Sequence, residues 1–301
     1  MKNKTTIFIS RLSIFTYIFF ISLSLLSCKN FVIAEDLSDD EINTILMRST
    51  FKIEGKAKNS IYPTTGTAFI LGVPTKTTPN NAYIVLVTAT HVLDNIDGDK
   101  ATLYLRKELE DSFIKFPFEF TIRIENRDLW TRHKEADVSV MYLSLPPGVD
   151  LPKIIPITWL ADDNVFKDVQ LHPGDELSCL GYPLGVESNE AGFSILRSGK
   201  IASFPLTPSE KIKNILFDFE VFEGNSGGPV YFTQTGRVYK GQANIGVTNR
   251  FIVGIVSEQR FLTQKSNTLD EERLKKYPLK LAIVVPASFI KQTIDILPPL
   301  D

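Results

Sequence analysis

Twelve short runs rich in β-branched and aromatic residues, bounded by Gly, Pro and Asn, leave this chain little choice but an all-β fold. Six cover 50–53, 66–71, 83–88, 101–105, 116–124 and 138–143; six more cover 176–180, 194–203, 215–222, 230–232, 251–256 and 281–285. No helices alternate with them, which excludes a parallel α/β sheet and predicts two six-stranded antiparallel β-barrels, at about 48–145 and 154–286, divided at Pro146-Pro147-Gly148. A C-terminal helix is expected over about 287–296, where Phe289, Ile290, Thr293 and Ile294 fall at helical spacing, and it should pack on the second barrel. Ser38-Asp39-Asp40-Glu41 fits a capping box and predicts a short N-terminal helix to about Met47. The charged stretch 266–277 reads as a surface loop or short helix.

The amino terminus is laid out for export. Lys2, Lys4 and Arg11 precede an apolar run over 12–26, too short for the roughly 20 residues of a spanning helix. Two cleavage points compete. Val32-Ile33-Ala34 suits cleavage before Glu35, giving a signal peptide over 1–34; Leu25-Leu26-Ser27-Cys28 resembles a lipobox, giving a leader over 1–27 and a lipidated Cys28. The expected location is therefore periplasmic, secreted or lipid-anchored at the cell envelope. Losing the four basic residues of 1–34 takes the formal charge from −2 to −6, so nothing calls for nucleic acid as a partner. Cys179 is then the one thiol left, which excludes an intrachain disulfide and cysteine-based metal binding.

An imidazole-dependent mechanism must choose among three histidines. His172 precedes Pro173-Gly174 and His133 lies among Arg132, Lys134 and Glu135, so both read as surface residues. His91 follows the apolar strand at 83–88, where a polar side chain can be held rigidly at a barrel rim, as a general base requires. Gly224-Asn225-Ser226-Gly227-Gly228-Pro229 follows another strand. Its small residues let the backbone turn sharply, leave the Ser226 hydroxyl accessible and let a carbonyl approach the amides of Gly224 and Ser226 as an oxyanion hole. A Gly-rich hairpin turn with Ser as filler would look the same. Asp137 opens the strand Val138-Ser139-Val140, as a carboxylate orienting a histidine or as a solvated acid.

Taken in order, Thr88-Ala89-Thr90-His91, Ala136-Asp137-Val138-Ser139-Val140 and Gly224-Asn225-Ser226-Gly227-Gly228-Pro229 resemble the histidine, aspartate and nucleophile motifs of the trypsin-like, chymotrypsin-fold serine peptidases, especially their bacterial Deg-like branch. The intervals of 46 and 89 residues between His91, Asp137 and Ser226 are similar as well. So are Gly66-Thr67-Ala68-Phe69, Gly181-Tyr182-Pro183-Leu184-Gly185 and Gly254-Ile255-Val256-Ser257. About five residues follow the expected final helix, so the PDZ module common in that branch is not expected.

The resemblance implies a serine endopeptidase acting on protein or peptide substrates, with Ser226 as nucleophile, His91 as base and Asp137 orienting it, without metal or cofactor. It also implies a substrate cleft beside Val256 and Ser257, with Ser257 hydrogen-bonding toward Asp137. Glu220, six residues before Ser226, matches a position at the base of the first specificity pocket in digestive relatives, which would favour basic residues. The alternation of Asp218 and Glu220 with Phe217 and Phe219 equally describes one solvated strand face. The main alternative function is a catalytically silent member of this fold that binds a partner in the envelope; an esterase is another.

Overall fold

The computed structural model describes residues 41–58, 60–75, 81–146, 149, 154–239, 241–268 and 271–300. The leader, both cleavage points, Cys28 and Ser38 to Asp40 lie outside them, as do Pro147 and Gly148. The first helix, α1 (Ile42–Ser49), is capped by Glu41, whose carboxylate accepts from the amides of Asn43 and Thr44. Glu41 is thus the N-cap itself, where the capping box would have it three residues inside the helix. Ile42, Ile45, Leu46 and Ser49 are the buried face, a spacing that fits one side of an α-helix.

The first half builds an eight-stranded sheet from β1 (Thr50–Gly55), β2 (Thr64–Pro74), β3 (Ala82–Thr88), β4 (Lys100–Leu109), β5 (Ser112–Thr121), β8 (Thr131–Arg132), β9 (Ser139–Tyr142) and β10 (Ile155–Pro156). The order is β5-β4-β1-β2-β3-β9-β8, with β10 parallel to β2, and β6 (Arg123–Ile124) pairs with β7 (Arg127–Asp128). Among the described residues this sheet is not closed by hydrogen bonds, whereas the second half is a closed six-stranded barrel in the order β11-β12-β13-β16-β15-β14. Its strands are β11 (Glu176–Gly181), β12 (Ile195–Ile201), β13 (Ile215–Asp218), β14 (Pro229–Tyr239), β15 (Gln242–Thr268) and β16 (Glu271–Pro286). The architecture is all-β, with two β-units and a C-terminal helix.

Three expectations change. In the stretch 266–277, residues 266–268 and 271–277 are strand and not loop or helix: β15 and β16 pair there as an antiparallel ribbon, from Phe261 opposite Pro278 to Thr268 opposite Glu271. The C-terminal helix, named α5 here (Ala287–Asp295), does not belong to the second barrel alone. Its Phe289, Ile290 and Ile294 join the core of the first unit together with Ile53, Leu71 and Leu86. Short helices also appear where periodicity had no room to register, at α2 (Thr90–Asp94), α3 (Asp163–Asp168) and α4 (Ser209–Ile212).

Each unit has its own apolar centre. The second is formed by Leu177, Cys179, Phe217, Val230, Val253 and Val284, among others. Leu180, Tyr231, Ile252 and Ile255 are barrel residues that instead pack into the first core. The two units therefore share an apolar seam, and the chemistry-bearing segments meet along it.

Candidate active site

His91 stands on α2, three residues after the end of β3. Its backbone amide donates to Asp137 Oδ1 (3.0 Å) and its Nδ1 pairs with Asp137 Oδ2 (2.7 Å). Asp137 Oδ2 also accepts from the Ser257 hydroxyl (2.5 Å). Burial pushes the Asp137 carboxyl upward, but the hydrogen bonds and charge of His91, with the Ser257 hydroxyl, outweigh it and hold the group below its ordinary range. With Asp137 ionised, Nδ1 carries the proton and Nε2 is left as the basic nitrogen.

The turn after Phe222 is held from three sides. From the first unit, Thr67 donates its amide to the Ser226 carbonyl (2.8 Å) and its hydroxyl to the Gly224 carbonyl (2.6 Å). From β15, the Val256 carbonyl accepts the Gly227 amide (2.7 Å), and the Val256 amide donates to Gly228 (2.9 Å). From the segment after β11, the Leu184 amide donates to the Glu223 carbonyl (2.6 Å). Gly227 is needed at φ 87°, because a Cβ there would lie 2.1 Å from the Thr67 carbonyl oxygen.

Among the described residues neither the Gly224 nor the Ser226 amide donates to a protein acceptor. In a planar trans peptide the carbonyl and the N–H point in opposite directions. Since the Glu223 carbonyl faces Leu184, the Gly224 N–H is turned away from that side. These two amides, two residues apart, are the donors of the turn that the described protein groups leave unengaged.

The Ser226 hydroxyl donates to the Ser257 carbonyl (2.8 Å), and among the described residues it makes no hydrogen bond with His91. Ser257 thus touches two of the three groups: its hydroxyl holds Asp137 and its carbonyl holds Ser226. The result is a hydrogen-bonded path from His91 through Asp137 and Ser257 to Ser226, drawing on β-segments of both units.

The remaining predicted residues fall differently. The Val256 side chain is fully buried in the second core, so only its backbone reaches the site. The Glu220 carboxylate pairs with Lys280 (3.6 Å) and its carbonyl accepts from Arg197 (2.8 Å); Phe217 and Phe219 are buried while Asp218 is exposed. His172 is exposed beside Asp175, as expected. His133 is half-buried and engaged: its Nδ1 accepts from the amides of Glu135 (3.1 Å) and Ala136 (3.0 Å), its Nε2 reaches Gln292 Oε1 (3.0 Å), and its ring packs edge-on against Phe289. It shapes the turn that leads into Asp137.

Thr67 was legible only as part of a strand. Its threonine hydroxyl, sheltered within an apolar strand, was the available signal, since such a group needs a partner. An open hollow of about 350 Å³ also lies against Glu223, lined by Lys58, Tyr62, Thr64 and Asn95 among others. Among the described residues no group of three or more His, Cys, Asp and Glu is placed to hold a metal ion.

No family model matches the chain, and no curated protein matches it significantly. Among solved structures it is similar to the active form of the Rv3671c protease from M. tuberculosis, with 16% identity and TM-score 0.43, covering 91% of this chain and 92% of that one. It is similar also to the protease Anisep from Arthrobacter nicotinovorans (12% identity, TM-score 0.46, 83% and 95% covered). A third is a thermostable serine protease AL20 from an extremophilic microorganism (14% identity, TM-score 0.43, 83% and 96% covered).

Proposed function

We propose that the chain is a trypsin-like serine endopeptidase of the Deg-like kind, exported to the cell envelope and, if cleaved at the lipobox, anchored there through Cys28. The observation that carries the reading is the continuous path from His91 through Asp137 and Ser257 to Ser226, beside two unengaged amides.

In this reading the Ser226 hydroxyl leaves the Ser257 carbonyl, turns to His91 Nε2 and attacks the substrate carbonyl carbon. His91 takes the hydroxyl proton and Asp137 stabilises the resulting imidazolium. The amides of Gly224 and Ser226 receive the oxyanion, each worth about 3–4 kcal/mol of transition-state stabilisation. Collapse of the tetrahedral intermediate breaks the C–N bond as His91 returns its proton to the leaving amine. Water then attacks the acyl-enzyme with His91 as base, releasing the acid and restoring Ser226. The hollow beside Glu223 would receive a substrate side chain, while Glu220, already paired with Lys280, is a weaker basis for selecting basic residues.

The bond from Ser226 to the Ser257 carbonyl is the one observation that favours a silent, partner-binding protein, because it takes the hydroxyl away from His91. A fluorophosphonate probe followed by casein digestion separates the two readings. The peptidase reading expects the parent protein to be labelled and to cut casein, and Ser226→Ala to do neither. A folded parent that is not labelled at any pH from about 6 to 9 would overturn it in favour of binding.

A further inference from the structure

Arg106 on β4 is 6% exposed, and none of its hydrogen-bond partners is a carboxylate. Its guanidinium donates to the carbonyls of Met47, Arg48 and Thr50 (2.8–3.0 Å), where α1 runs into β1, and to the carbonyl of Gly192 (2.9 Å). It lies between the rings of Phe51 (4.5 Å) and Phe193 (4.3 Å). A buried cation with no carboxylate in direct contact is costly, and an apolar side chain would fill the space without that cost. What the guanidinium uniquely supplies is a fork of donors that draws separate chain segments to one point.

Tyr182 shares that point. Its hydroxyl bonds to the carbonyls of Thr50 (3.2 Å) and Gly192 (3.0 Å) and lies 3.4 Å from Arg106 Nη1. Burial pushes the hydroxyl up to about 12 despite the neighbouring guanidinium, so it stays protonated through the neutral range. The other end of Tyr182 meets the candidate site. Its carbonyl accepts from Gly185 (2.9 Å), closing the turn that presents the Leu184 amide to Glu223. The same carbonyl lies 2.1 Å from where a Cβ on Gly224 would be, and Gly224 sits at φ 93°.

We infer that Arg106 and Tyr182 are positioning residues for the oxyanion turn: they tie 182–193 to the start of β1, so that Leu184 holds the Glu223–Gly224 peptide with its N–H free. This deepens the proposed peptidase reading and rests on it for its catalytic consequence, but the positioning itself is a property of the fold. Glu187 adds a further tether, pairing with Lys52 (2.8 Å) and Lys115 (2.6 Å) of the first unit.

The test uses the whole protein carrying Tyr182→Phe, which keeps the ring, and Arg106→Lys, which keeps the charge but loses the fork. Hydrogen exchange of the Leu184 amide is measured against those of Val230 and Val284 in the barrel, alongside kcat and KM on a peptide ester. In each variant the Leu184 amide should exchange at least tenfold faster while the barrel amides keep their rates. The value of kcat should fall tenfold or more with KM within twofold. The inference is overturned if folded Tyr182→Phe keeps Leu184 protection, or if protection is lost evenly across the barrel and kcat merely follows the folded fraction. Should Arg106→Lys fail to fold, Tyr182→Phe decides. Should the parent not react with the fluorophosphonate probe, the peptidase reading falls and the exchange rates alone decide the positioning.

Discussion

Ser257 binds Asp137 with its hydroxyl and Ser226 with its carbonyl, so its side chain can be removed without disturbing its main-chain role. Ser257→Ala should cut kcat on a peptide ester by about tenfold, the worth of one hydrogen bond to a charged group, and leave KM within twofold. Thr67→Val leaves the Gly224 carbonyl without its buried donor and should cost about 1–3 kcal/mol in a denaturant titration, with activity falling further than stability. The depressed Asp137 carboxyl has a defined pH signature. Because its pKa is lower in the folded state than in the unfolded chain, it adds stability at neutral pH that is lost as the pH falls through the acid carboxylate range. Asp137→Asn should flatten that part of the stability curve, as followed by thermal melts from pH 7 down to about 3. Burial raises the Cys179 thiol to about 12, so the native protein should not react with a thiol reagent at pH 8 until it is unfolded.

Strands that alternate apolar and polar residues announced themselves in the sequence, and so did the short apolar runs buried on both faces, such as Ile84 to Val87. The elements that escaped are those with too few residues to show a period. α3 spans six residues and is set by Asp162, which caps the amides of Asn164 and Val165. The ribbon formed by β15 and β16 beyond Phe261 and Pro278 escaped for another reason: its charges look like those of a solvated loop, and only backbone pairing makes it a strand pair. Among the described residues no third strand pairs with that ribbon, and a lone two-stranded ribbon adds little stability. Replacing 262–277 by a tight turn should therefore leave the melting temperature within about 2 °C. In the candidate site, His91, Asp137 and Ser226 were legible because their motifs are local. Arg106 and Tyr182 were not, because each acts through partners far away in sequence, such as Gly192 and Thr50, and His133 was not, because its charged neighbours Arg132, Lys134 and Glu135 made it look like a surface residue.

On the scale of the whole molecule, the site is shared between two units with separate cores, and each supplies parts that the other lacks. His91, Asp137 and Thr67 come with the first; Ser226, Ser257 and the Leu184 turn come with the second. The second barrel is closed by β16, which pairs with β13 on one side and β15 on the other. A ribosome delivers these strands in order, so the support for Ser226 arrives with β15 and is locked only as β16 emerges. Chain order thus acts as a clock: a chain that ends before β16 already carries His91, Asp137 and Ser226, yet the barrel that holds the Ser226 turn is still open along two edges.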